Sequence, residues 1–137
     1  MAVFGYRDKV RFYELDALNH VNNTVFLRWF ETIRVNYIQH YGFTAYGPGD
    51  PQMVVRRVTA DFLGPLLQNE AYVVTARTRT IKPSSFVMDY GLYVDGEKRA
   101  TGEAVVISLE QDGKTRRAHR QTAIEKVLKN DQAEWQG

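Results

Sequence analysis

The chain contains no cysteine, few histidines and no long apolar run. The absence of cysteine excludes disulfides, thiolate metal ligands and a cysteine nucleophile. The three histidines are scattered, and none has metal-ligand spacing such as H-E-x-x-H, so the sequence predicts no metal site. No segment is apolar over enough length to span a bilayer, and the first residues lack the apolar core of a signal peptide. A cytoplasmic protein is therefore expected.

A strong excess of charge of one sign is also missing. The formal net charge is +2, and no basic stripe coincides with exposed aromatic residues, so nucleic-acid binding is not expected. What is present is an ordinary globular composition, with 44% hydrophobic and 25% charged residues. The 137 residues suit a single domain, residues 1–137, with one core.

The clearest helical pattern covers residues 24–41. Apolar side chains recur there at steps of three and four, the spacing of one helical face, at Phe26, Phe30, Ile33, Tyr37 and Tyr41. Gly42 follows where a left-handed C-cap glycine is expected. Glu31 lies on a narrow polar stripe of the same helix, where a structural salt bridge is expected. The pattern predicts one long, mostly buried helix.

The rest of the chain has the period of strands. Residues 10–13 are read as the end of a first strand, and further strands are predicted over 53–63, 71–81, 86–94 and 98–109. Asp95-Gly96 is a strong two-residue hairpin signal between the last two. The tail from about His119 to Asp131 predicts a short amphipathic helix. Together these elements predict an α+β domain, an antiparallel sheet with one long buried helix.

A short polar segment stands directly before the long helix. It brings Asp16, His20 and Asn23 close together in the sequence. The start of a helix offers unpaired backbone N–H groups that can hold a developing oxyanion, and an aspartate can act as general base or nucleophile. The alternative interpretation is structural: Asp16 is a turn residue and Asn22 caps the helix.

The order of elements and the motif around Asp16 resemble a known family. A strand, an Asp-containing turn that ends in His-Val-Asn-Asn, an apolar helix and a run of antiparallel strands resemble the hot-dog fold, in which a sheet wraps around one long helix. Within it, the chain is similar to the 4-hydroxybenzoyl-CoA thioesterase-like group of acyl-CoA thioesterases. The matching stretches are residues 14–17, 20–23, 30–34, 60–65 and 82–86. One departure is Asn19, where many relatives carry glycine; asparagine tolerates positive φ best among the other residues.

The resemblance implies a function and roles for individual residues. It implies an acyl-CoA thioesterase in which Asp16 is the general base or nucleophile and the backbone N–H of Asn23 is the oxyanion donor. His20 orients substrate, assists proton transfer or is structural. No cofactor is required. Lys82, Ser84 and Ser85 match the residues at the strand entrance that faces coenzyme A in this family.

The expected substrate is an acyl-CoA, or an acyl group on acyl carrier protein, with an apolar fatty or aromatic acyl group. The pocket is expected to be floored by Phe26, Trp29, Phe30 and Ile33 of the helix and by the strand 86–94. A homodimer or homotetramer is expected, since one helix covers one sheet face while the strands carry apolar residues on more than one. Alternatives are a hot-dog hydratase or dehydratase, and a non-catalytic module that binds acyl thioesters.

Overall fold

The computed structural model describes residues 3–137, which form a six-stranded sheet with a long helix packed against it. The elements are β1 (Phe4–Lys9), a 3-10 turn (Phe12–Glu14), α1 (Asn23–His40), β2 (Gln52–Phe62), β3 (Ala71–Lys82), β4 (Ser85–Val94), β5 (Glu97–Leu109), α2 (Gln121–Asp131) and β6 (Glu134–Trp135). The strand order is β1-β3-β4-β5-β2, and the two-residue β6 pairs with β3. All pairings are antiparallel except that of β6 with β3. The predicted α+β class is confirmed.

Helix α1 begins and ends within one residue of the predicted bounds, 24–41. Asn22 is the N-cap, and its side-chain Oδ1 accepts the Thr24 N–H at 2.9 Å. Gly42 follows the C-cap with a φ of 79°, the left-handed conformation that favours glycine. The buried face of α1 comprises Val25, Phe26, Trp29, Phe30, Ile33, Tyr37 and Ile38. The long helix is therefore anchored through an apolar face, as its spacing indicates.

Side chains along the strands alternate between buried and more exposed positions, as the sequence predicts. On β3, Tyr72, Val74, Ala76 and Thr78 are buried, and the residues between them face away from the core. Asp95 and Gly96 join β4 to β5 with φ values of 50° and 77°, the positive pair that a tight hairpin turn needs. Helix α2 forms over the predicted tail. Neither helix within residues 3–137 has the length and apolar character needed to cross a membrane.

The predicted strand end at residues 10–13 is wrong. Strand β1 ends at Lys9, and the chain leaves the sheet into the 3-10 turn. The cause is local: the Glu14 carboxylate turns back and accepts the Arg11 N–H at 2.7 Å. Phe12 and Tyr13, whose aromatic rings favour a strand in the sequence, are each 76% exposed.

The salt bridge expected at Glu31 is also not observed, since this exposed residue has no ion pair within residues 3–137. A buried carboxylate ties α1 to the sheet instead. Asp131, at the end of α2, accepts hydrogen bonds from the Tyr37 hydroxyl of α1 and from the Thr78 N–H of β3, the latter at 2.8 Å. This contact fixes the C-terminal half of α1.

Candidate active site

A tight loop, residues 15–22, connects the 3-10 turn to α1. Leu15 and Val21 form an isolated antiparallel bridge, and the Asp16 N–H donates to the His20 carbonyl at 2.7 Å. Asn19 has a φ of 60°, so it takes the left-handed conformation expected of it. The Val21 N–H donates to the Leu66 carbonyl at 2.9 Å, which attaches the loop to the segment that follows β2. The backbone of the loop is therefore held on both sides.

Asp16 uses one carboxylate oxygen to brace this loop. Its Oδ1 accepts the Leu18 N–H at 2.8 Å and the His20 N–H at 3.2 Å. Its Oδ2 accepts no hydrogen bond from any residue between 3 and 137. The side chain is half-buried. One oxygen is thus anchored while the other is available to water or to a substrate.

The first turn of α1 includes a backbone donor, the Asn23 N–H, that faces no acceptor among residues 3–137. Asn22 satisfies two of the early N–H groups, that of Thr24 through its side chain and that of Val25 through its carbonyl at 2.9 Å. The Asn23 N–H has no acceptor within the described part of the chain. Because the N-terminal end of a helix carries partial positive charge, this free donor is suited to an anionic oxygen.

These groups share one pocket of about 410 Å³. Asp16, His20 and Asn23, the three predicted catalytic residues, all line it. The remaining lining is largely apolar and consists of Leu18, Val21, Phe26, Phe62, Leu63, Gly64 and Pro65. The His20 ring makes no hydrogen bond to residues 3–137; its backbone, not its imidazole, holds the turn. The imidazole is therefore open to the pocket contents.

The pocket walls differ from the prediction. Trp29, Phe30 and Ile33 are buried in the core at 6%, 1% and 0% exposure, and of the predicted floor residues on α1 Phe26 alone lines the pocket. The inward side chains of β4 are also core. The opposite wall comes from residues 62–65, which cover the end of the predicted strand 53–63 and belong to a stretch that matches the family. Apolar residues at a strand end are the one signal for this wall in the sequence.

Lys82, Ser84 and Ser85 lie at the other end of the sheet. Ser85 pairs with Ile107 on β5, whereas the pocket residue Phe62 pairs with Ala100, seven residues earlier on that strand. At about 3.4 Å per residue this separation is roughly 24 Å. The Ser84 hydroxyl accepts a hydrogen bond from Arg116 Nη1 at 3.2 Å. These three residues do not line the Asp16 pocket.

A second pocket, of about 400 Å³, lies on the outer face of the sheet. Asp89 and Glu103 line it, but both pair with Arg79, at 2.8 and 3.0 Å. No helix terminus contributes to its lining. In the described range 3–137 no cluster of three or more histidine, aspartate or glutamate side chains could hold a metal ion. The pocket at Asp16 is therefore the better candidate site.

Comparison with known proteins identifies the family of the chain. The sequence profile of the thioesterase-like superfamily matches residues 10–131. The chain belongs to this superfamily. A thioesterase superfamily protein from Jannaschia sp. CCS1 is 34% identical with a TM-score of 0.90, over 94% of this chain and 83% of that one. A thioesterase from Thermus thermophilus, solved with coenzyme A and Zn, is 32% identical with a TM-score of 0.76, over 93% and 92% of the two chains.

A curated relative, YsmA of Bacillus subtilis (strain 168), is 26% identical over 110 residues, which cover 80% of this chain and 74% of YsmA. The superfamily match and the Jannaschia structure confirm the predicted hot-dog fold. The family match includes the whole loop from Leu15 to Asn22 and helix α1. The candidate site therefore lies inside the part of the chain that this superfamily shares.

Proposed function

We propose that this superfamily member is an acyl-CoA thioesterase that hydrolyses thioesters of apolar acyl groups. The observation that carries the proposal is the shared pocket of Asp16 and Asn23. It holds a carboxylate oxygen and a helix N-terminal N–H that have no partners within residues 3–137. Thioester hydrolysis needs these two functions, an activating base or nucleophile and a donor for the carbonyl oxygen.

In the proposed reaction, the thioester carbonyl lies between the two groups. Asp16 either removes a proton from a water that attacks the carbonyl carbon or attacks that carbon itself, forming an anhydride that water then opens. The Asn23 N–H and the positive end of α1 stabilise the oxyanion. The C–S bond breaks, the thiolate of coenzyme A takes up a proton, and the free acid remains. His20, in the same pocket, orients the substrate or carries a proton.

The apolar lining supports an apolar acyl group. Phe62 and Leu63, which are 41% and 58% exposed, offer carbon surface in the pocket that Asp16 lines, and each methylene buried there contributes about 0.8 kcal/mol to binding. The coenzyme A bound by the Thermus thermophilus relative supports coenzyme A as the carrier, with acyl carrier protein as the alternative. Affinity, and with it kcat/KM, is therefore expected to rise with acyl size until the pocket is filled.

The edge of the sheet supports a homodimer, alone or as half of a tetramer. Strand β2 is an edge strand of 11 residues, with β5 on one side. Its exposed apolar residues include Val54 at 38%, Val58 at 41% and Phe62 at 41%. A long apolar edge favours pairing with another strand, and a second copy can pair with it antiparallel about a two-fold axis. A monomeric mass by light scattering at micromolar concentration would contradict this assembly.

Such pairing has a consequence for the site. When two β2 strands run antiparallel, the Phe62 end of one lies beside the Gln52 end of the other. In each copy Gln52 pairs with Leu109 at the end of β5, the sheet end that carries Lys82, Ser84 and Ser85. The three predicted CoA-binding residues of one copy, which lie on and between β3 and β4, then belong to the same end of the joined sheet as the Asp16 pocket of the other. We infer that this pairing brings together the two groups of residues that a single copy keeps apart.

Thiol release from a panel of acyl-CoAs tests the proposal. Purified protein is expected to release coenzyme A from octanoyl-, palmitoyl- or benzoyl-CoA with a higher kcat/KM than from acetyl-CoA. Equal or better turnover of acetyl-CoA would contradict the apolar substrate class. Tight binding of every acyl-CoA without release would contradict hydrolysis and indicate a binding module. Addition of water to an unsaturated acyl-CoA, without thiol release, would indicate a hydratase.

A further inference from the structure

Glu14 is a buried carboxylate two residues before Asp16. It is 8% exposed, and both oxygens accept hydrogen bonds, Oε1 from the Arg11 N–H at 2.7 Å and Oε2 from the Trp29 indole N–H at 3.1 Å. No cationic side chain within residues 3–137 forms an ion pair with it; the nearby Arg11 guanidinium pairs with Asp8 at 3.0 Å. A buried carboxylate is costly, so two well-directed donors make it a fixed point of the fold.

The same residue connects the elements that carry the two reactive groups. Its backbone carbonyl accepts the Asn22 N–H at 3.0 Å, which closes the base of the Asp16 loop just before Asn23. Its carboxylate reaches Trp29, in the second turn of α1, whose ring stacks on Tyr72 of β3 with centroids 4.1 Å apart. Both ends of the loop and the helix that presents the Asn23 N–H are thereby joined through Glu14.

We propose that Glu14 is a positioning residue that holds the Asp16 carboxylate in register with the Asn23 N–H. The inference rests on the proposed thioesterase function and adds a residue that acts through others. The role requires a carboxylate, because both Glu14 oxygens face N–H donors. A glutamine has one oxygen and one NH₂ group, so it would set a donor against a donor with almost no change in volume.

The variant Glu14→Gln tests this role in the full-length protein. Since a misplacement of about 1 Å can cost on the order of 10²-fold, kcat is expected to fall by ~10- to 100-fold while KM changes by less than ~3-fold. Asp131→Asn is the matched control: Asp131 is also buried, at 4% exposure, and also ties α1 to a neighbouring element, but at the far end of the helix. Its kcat is expected within ~2-fold of the wild type, despite lower stability.

A double-mutant cycle tests the route through Trp29. Trp29→Phe removes the indole N–H and keeps a ring to stack on Tyr72. If Glu14 acts through this bond, Glu14→Gln combined with Trp29→Phe lowers kcat no further than the stronger single variant. Losses that multiply would overturn the route through Trp29. A kcat in Glu14→Gln equal to that of an active wild type would overturn the proposal itself.

Amide hydrogen exchange gives a readout that does not depend on thioester chemistry. In Glu14→Gln the Asp16 and Asn22 amides, which are bonded within the loop, are expected to exchange ~10-fold faster, and in Asp131→Asn they are expected to be unchanged. Unchanged exchange in Glu14→Gln would contradict positioning, whatever the activity. Faster exchange in a protein that releases no thiol from any acyl-CoA would support the positioning role and refute the proposed function, so the two failures are distinct.

Discussion

The two ends of the sheet differ in whether their polar atoms without hydrogen-bond partners are accessible or buried. At the Asp16 end, one carboxylate oxygen and the Asn23 N–H are open to a pocket. At the other end, both ring nitrogens of His119 and the Ser108 hydroxyl lack partners within residues 3–137, but these side chains are only 7% and 0% exposed. An accessible polar atom can bind water or substrate, whereas a buried one only costs stability. The accessible unpartnered atoms are therefore the candidates for chemistry, and the buried ones belong to the packed core.

At the end of the sheet that carries Lys82, most cationic side chains form ion pairs or hydrogen bonds. Arg117 pairs with Glu110 at 3.4 Å and Arg120 with Asp50 at 2.9 Å, while Arg116 donates to Ser84. Lys82 is exposed and forms no ion pair with the rest of the described chain. This end therefore carries a cation that is unpaired within residues 3–137 beside two serine hydroxyls, the groups that the proposed binding of a phosphate-bearing carrier requires.

The largest expected effect is at the Asp16 end. Asp16→Asn keeps an Oδ1 that can accept the Leu18 and His20 N–H groups, so the loop is retained while the base or nucleophile is lost. The kcat for thioester hydrolysis is expected to fall at least ~10²-fold, with little change in melting temperature. The control is Asp61→Asn, an exposed carboxylate that lines the outer pocket and not this one. Near-normal turnover by a folded Asp16→Asn protein would refute the assignment.

A smaller effect is expected at the opposite end. The double variant Lys82→Ala, Ser84→Ala removes a cation and a hydroxyl, and since a hydrogen bond to a charged group contributes about 1.5–3 kcal/mol, KM for an acyl-CoA is expected to rise ~10-fold or more. The kcat is expected to stay near that of the wild type. Lys126→Ala, an exposed lysine on α2, is the control. A fall in kcat with an unchanged KM would contradict the proposal that this end binds the carrier and the Asp16 end breaks the bond.

The smallest effect is a pH dependence of stability at His119. Burial between Phe43 and Phe86, whose ring centroids lie 5.0 and 5.6 Å from the imidazole, lowers the pKa of His119 below its ordinary value. Below about pH 6.5 the unfolded chain binds a proton that the folded state resists, so the free energy of unfolding is fully retained above that pH and falls as the pH is lowered. Urea unfolding at pH 7.5 and 5.5 measures the loss.

His119→Phe is expected to reduce that loss without changing kcat at pH 7.5, because it removes the titrating ring from an apolar site. His40→Gln, at an exposed position on α1, is the control and is expected to leave the loss as it is in the wild type. An equal loss in His119→Phe and the wild type would show that other groups govern acid stability. It would also contradict the view that the buried imidazole of His119 lowers stability while the accessible polar atoms at the Asp16 end do not.

The sequence predicts the elements well because their causes are local. The 3.6-residue period of α1, the strand alternation on β3 and the Asp95-Gly96 turn each depend on neighbouring residues, and each forms as predicted. The end of β1 is mispredicted because the Glu14 carboxylate, and not strand propensity, directs the backbone at Arg11. Glu14 itself belongs to a residue type that is almost never fully buried, so its burial could not be anticipated from the sequence.

The site is predictable only in part, because only some of its residues are close to one another in the sequence. Asp16, His20 and Asn23 are neighbours in the chain, and one loop brings them into one pocket. The opposite wall at Phe62 and Leu63 comes from the end of β2, and its place is decided by sheet order, which no local pattern encodes. The aromatic spacing of α1 indicates burial correctly but does not separate core from pocket.

In the proposed dimer, the two ends of the sheet meet in one site across two copies of the chain. The direct measurement is complementation between Asp16→Asn and the double variant Lys82→Ala, Ser84→Ala, assayed below the wild-type KM. In a 1:1 mixture that exchanges subunits, half of the dimers are mixed and each has one intact site, so about a quarter of the wild-type activity is expected. An activity equal to the mean of the two variants measured separately would contradict the shared site.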